Sequence, residues 1–94
     1  MGDGLPRQVD GLEVSEAEDG LVVYDPASDM VHHLNPSASL IFDLCDATLD
    51  PDGIAAVLAD LYGMDAPPRD ETLAGLADLA RRGLVLWSAQ DHAG

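Results

Sequence analysis

The chain has 94 residues, enough for one domain and one modest core. Eighteen acidic residues against four basic ones give a net charge of −14, which disfavours nucleic acid and anionic lipid, since both are bound through Lys and Arg. With 47% hydrophobic and 23% charged residues it reads as globular rather than as a disordered acidic tail.

In chain order, residues 1–11 read as a flexible N-terminus without the basic stretch and apolar core of a signal peptide, and a cytoplasmic location is expected. An alternating segment begins at Leu12-Glu13-Val14 and turns at Glu18-Asp19-Gly20. Leu21 to Tyr24 is β-branched and aromatic, and Asp25-Pro26-Ala27-Ser28-Asp29 bounds it as a turn. Met30 to Leu34 reads as a third strand. Met30, His32 and Leu34 share one face and Val31 and His33 the other; both sets contain apolar residues, so the segment alone does not say which is buried.

Asn35-Pro36 then changes the period: Asn is a strong N-cap and Pro a favoured first helical residue. Ala38, Ile41, Phe42, Leu44 and Cys45 are the apolar positions of this first helix. Asp50-Pro51 repeats the cap, Ile54, Val57, Leu58 and Leu61 form one helical face, and Gly63 is the stop. A third helix is expected over 69–82, with Leu73, Leu76, Ala77 and Ala80 as its main stripe and Leu79 widening it. Leu84 to Trp87 leaves as an extended apolar tail, and 88–94 reads as a flexible end. Trp87 is expected to pack on the core, the alternative being a tail that contacts a partner enzyme with an exposed Trp87 as anchor. The fold class is α+β: a three-stranded antiparallel sheet followed by a three-helix bundle, βββααα, in the manner of a winged helix-turn-helix.

Three stretches carry a resemblance. Val23-Tyr24-Asp25 with His33-Leu34-Asn35-Pro36-Ser37-Ala38, then Ile41-Phe42-Asp43-Leu44-Cys45-Asp46, then Leu76 through Val85 resemble the PqqD-like family across about residues 12–87. That family comprises recognition domains for ribosomally made, post-translationally modified peptides. The resemblance implies that a precursor's leader peptide binds as an extra strand beside the third strand, against the third helix, and is presented to a modifying enzyme such as a radical enzyme, protease or cyclase. One position departs: where the family has Gly after Cys-Asp, this chain has Ala47, and Gly there often supplies a positive φ.

The expected peptide-binding residues are Met30, Val31, His32, His33 and Leu34 for the strand edge, with Gly75, Leu76, Leu79 and Arg82 for the helix wall. Leu76 is also a core position, and Arg82 is a candidate for an acidic leader residue or for the negative helix end. No cofactor is expected, and no metal: His32 and His33 are adjacent on a strand and point to opposite faces, His92 is far away, and no spaced Cys/His set occurs. Cys45, in an apolar helix, reads as a buried hydrophobe rather than a nucleophile. With no Ser-His-Asp set or phosphate loop, the chain is expected not to be an enzyme. The alternative reading is an acidic interaction module for a folded basic partner.

Overall fold

The computed structural model describes residues 4–87. Its elements are β1 (Pro6–Gln8), β2 (Glu13–Ala17), β3 (Gly20–Asp25), β4 (Met30–Leu34), α1 (Pro36–Asp43), α2 (Pro51–Tyr62), α3 (Arg69–Arg81) and β5 (Val85–Trp87). The expected three strands and three helices are all present, in the order β2-β3-β4 and then α1, α2, α3.

The two helix starts form as the sequence dictates. The Asn35 carboxamide oxygen accepts the Ala38 N–H at 2.8 Å, and the Asp50 carboxylate accepts the Gly53 N–H at 2.7 Å. Gly63 ends α2 in the left-handed region at φ 64. The β2–β3 hairpin closes on the two residues Glu18 and Asp19, between the paired Ala17 and Gly20. Gly20, at φ 145, lies so close to β4 that a Cβ there would overlap the Leu34 carbonyl.

The core joins Val23 and Leu34 from the sheet to Ile41, Phe42 and Cys45, then to Ile54 and Leu58 of α2, Leu76 and Leu79 of α3, and Leu84 and Val85. Val23 pairs with His32 and Leu21 with Leu34, so the face holding Met30, His32 and Leu34 is the one that turns toward the helices.

Three features differ from the sequence reading. First, Pro6–Gln8, within the segment expected to be flexible, is a strand paired antiparallel with β5. It is also tied to the loop after α1: Gln8 N–H donates to Cys45 O at 2.9 Å and Ala47 N–H to Pro6 O at 3.0 Å. Backbone groups on both sides of β1 are therefore satisfied, which offsets the entropy of ordering so short a segment. Second, the buried stripe of α3 is Thr72, Leu76 and Leu79, while Leu73 is 38% exposed and Ala77 is exposed. Thr72 can be buried because its hydroxyl donates to Pro68 O at 2.8 Å within its own first turn. Third, Trp87 is 43% exposed rather than packed inside, with Leu84 and Val85 filling the core before it. The expectation for 88–94 falls outside the described residues.

Ala47 adopts φ 67. The position does require the left-handed conformation that a Gly would take without strain, and an alanine occupies it. It is held there by the Pro6 hydrogen bond and by its neighbours, since Thr48 donates both its N–H and its hydroxyl to the Asp46 carboxylate. These bonds hold the Asp46 carboxyl below its usual range.

Candidate functional site: the outer edge of β4

Among the described residues, the sheet ordered β2-β3-β4 has two unpaired edges. In an antiparallel ladder, each residue turns both backbone groups either toward its neighbour strand or away from it. The Leu34 carbonyl faces Gly20 of β3, so Leu34, His32 and Met30 bond inward. Val31 and His33 therefore present their N–H and C=O groups outward. By the same alternation, Val14 and Glu16 are the outward residues of β2.

The two edges differ in charge. β2 carries Glu13 and Glu16 and leads into Glu18 and Asp19, and all five of its residues are exposed. β4, Met-Val-His-His-Leu, carries no carboxylate. In a chain of net charge −14 that is an unusual length of edge. Met30 and Val31 are 51% and 53% exposed, His33 is exposed, His32 is half-buried, and Leu34 is buried.

The C-terminal end of α3 closes on this edge. Arg82 donates from Nη1 to the His33 carbonyl at 3.3 Å, and its Nε lies 3.1 Å from Asp78 Oδ2. Arg81 Nη2 lies 2.6 Å from the other oxygen of the same carboxylate. Asp78 thus anchors two guanidinium groups, leaving a local excess of one positive charge. Glu71, Gly75, Asp78 and Arg82 recur at helical spacing along this flank of α3. Gly75 is half-buried, and a Cβ on it would come 2.8 Å from Ile41 Cδ1, so its small size lets α3 approach α1.

Apart from Gly75, placed above on the flank of α3, the expected residues sort into three groups. Val31, His33 and Arg82 come together at one edge; Met30 and His32 belong to the same strand but bond inward through their backbone. Leu34, Leu76 and Leu79 have their side chains in the core, and they support the edge from beneath. Asp78 was missed from sequence; its place one turn before Arg82, at i and i+4, is the signal that pairs them.

At the other end of α3, Ser37, Ile41, Leu58, Tyr62, Met64, Pro68, Glu71 and Thr72 line a mainly apolar cavity of about 250 Å³. Cys45 is buried, its thiol directed at Ile41 O at 3.1 Å, and burial, with Asp46 adding, pushes its pKa up to about 12. Among the described residues no three His, Cys, Asp or Glu side chains converge in a way that could hold a metal ion, and no helix is long and apolar enough to cross a membrane.

The family model for PqqD, coenzyme PQQ synthesis protein D, matches residues 20–85, which is more than half of the chain. The chain belongs to the PqqD family. The match spans β3 to the start of β5 and so includes β4, α3 and Arg82. Solved structures share the PqqD-like fold. The PqqD truncation of Methylobacterium extorquens PqqCD, described as a functional and stand-alone recognition element for ribosomally synthesised and post-translationally modified peptides, superposes with a TM-score of 0.71 at 24% identity, covering 92% of this chain and 93% of that one. A lasso peptide synthetase B1 complexed with its leader peptide gives 0.70 at 21% identity, covering 86% and 96%. TbiB1 in complex with the TbiA(beta) leader peptide gives 0.69 at 20% identity, covering 94% and 99%. No curated protein sequence matches significantly.

Proposed function

We propose that this PqqD-family domain captures the leader region of a ribosomally made precursor peptide as an added strand on the outer edge of β4, beside α3, and presents it to a separate modifying enzyme. The observation that carries this reading is the edge itself. Val31 and His33 offer two donors and two acceptors on a strand without carboxylates, where the C-terminal end of α3 brings the Arg82 guanidinium against the strand. The solved relatives of the same fold include two held in complex with leader peptides, which supports the same kind of ligand here.

Backbone bonds set the scale. Four of them contribute about 0.5–1.5 kcal/mol net each, while ordering a disordered peptide costs about 2–5 kcal/mol. Affinity and choice of peptide must therefore come from side chains. Val31, His33 and the Arg82 flank are in reach of a peptide on this edge. The domain acts by binding and leaves the chemistry to its partner. Its one thiol is buried and holds its proton up to about pH 12, which suits a core residue and not a nucleophile.

The test is a titration of the ¹⁵N-labelled domain with leader segments of candidate precursor peptides, taken from any short reading frames that neighbour its gene. The Val31 and His33 amides should shift and become protected from exchange, while those of Val14 and Glu16 stay unchanged. Saturating leader that leaves Val31 and His33 unmoved sinks this assignment. Binding that instead perturbs β2 and fades steeply with salt would favour a basic partner docking on the acidic edge.

A further inference from the structure

We infer that Arg82 is a register-setting receptor for one acidic residue of the incoming peptide, and that it releases the His33 carbonyl as the peptide arrives. This rests on the reading of β4 as the peptide edge. The starting observation is that the free edge is already partly occupied. Arg82 Nη1 sits 3.3 Å from the His33 oxygen, the acceptor that an added strand needs for its own N–H. The guanidinium takes up one lone pair of that oxygen and stands where an added strand would lie, so it competes with the ladder for this acceptor.

Release is easy because the bond is long and exposed, and a backbone N–H at about 2.9 Å replaces it. The guanidinium is not set adrift when this happens. Asp78 holds it from behind through Nε at 3.1 Å, so its Nη1 and Nη2 end stays beside the edge. Nη2 has no hydrogen-bond partner among the described residues. Two parallel N–H groups on one planar end match a carboxylate in bidentate fashion.

The rest of the charge distribution makes this a single-position filter. The chain contains only four basic residues. Arg7 lies 3.7 Å from Asp10, Arg69 lies 2.7 Å from Asp52, and Arg81 lies 2.6 Å from Asp78. A peptide carboxylate at any other register meets the field of a domain at −14. One within a residue of the peptide position that bonds His33 meets Arg82. A domain this acidic thus accepts an acidic residue at one place and, by doing so, fixes how the strand slides along β4. Strand register is otherwise weakly specified on so short an edge.

The experiment uses a displayed library of random fourteen-residue peptides selected against the immobilised domain and against Arg82→Glu. Peptides recovered on the unaltered domain should shift the Val31 and His33 amides and share Asp or Glu at one position. Changing that residue to Asn should weaken binding about tenfold to thirtyfold, in the range of a charge-assisted pair. Selection on Arg82→Glu should return Lys or Arg at the same position, and pairing that variant with the charge-swapped peptide should restore most of the affinity. Arg82→Gln, checked by its melting curve, separates lost recognition from lost folding. Recovered peptides that occupy β4 yet share no acidic position, or whose Asp→Asn change alters affinity less than twofold, overturn the role of Arg82 and leave β4 as the peptide edge. If no recovered peptide moves the Val31 and His33 amides, the edge assignment itself falls, and the role of Arg82 with it.

Discussion

β2 and β4 flank the same central strand, and each offers an unpaired edge of five residues with alternate backbone groups turned outward. The first carries Glu13 and Glu16 and runs into Glu18 and Asp19; the second has none of these charges and is met by Arg82. Exposed edges invite any extended chain, and charged side chains are the usual way of refusing it. One sheet therefore holds a guarded edge and an open one. The difference lies in side chains, because both strands have five residues, run antiparallel to β3 and turn alternate backbone groups outward.

Breaking the open edge should have the largest effect. Val31→Pro removes an outward donor at a position where an edge strand tolerates proline, and should weaken leader binding more than tenfold by calorimetry. Glu16→Pro, the matching change on β2, should alter it less than twofold. Next in size, His33→Asp gives the open edge the guard of the other one and should cost several-fold in affinity, the more so at low salt.

Two smaller predictions concern the frame, and both should leave the contrast between the edges intact. The Cys45 thiol is held protonated by burial, with its pKa raised from 9.0 to about 12. Because the folded state binds this proton more tightly, its contribution is fully present below about pH 9 and is lost as pH rises toward 12. Tyr24, whose hydroxyl donates to Asp29 at 2.7 Å and whose pKa is also raised, adds a slope of the same sign. Urea midpoints should fall across that window, and less so in Cys45→Ala. Smallest of all, Ala47→Gly should stabilise the fold by about 0.5–1 kcal/mol by relieving the left-handed strain; a lower urea midpoint would count against it.

Much of this was legible in the sequence because it was local. Asn35-Pro36 and Asp50-Pro51 cap helices through side chains three residues from their partners, and the hairpin turns declare themselves by Gly20 and Pro26. The resemblance to the PqqD-like family rested on such stretches, and the family match agrees with it. What was hidden is non-local or locally disguised. β1 has three residues, one of them proline, and exists only because Val85–Trp87 and the loop after α1 receive it. The face of α3 was misplaced because Thr72 counts as polar in a pattern, although its hydroxyl is satisfied within one turn. Leu79 consequently turned from a groove residue into a core one. The contact between Arg82 and His33 spans residues 49 apart, beyond any periodicity.

The pairing of β1 with β5 also governs how the domain can be connected. Pro6 stands opposite Trp87, so the chain comes in and goes out through neighbouring strands, roughly 5 Å apart. Seen from outside, the domain is a cassette with a narrow neck. It can be spliced into a surface loop of a larger enzyme, or tethered by either end, without stretching the host backbone. The neck belongs to the two-stranded sheet and the peptide edge to the three-stranded one, so such a graft would leave β4 and Arg82 unaltered.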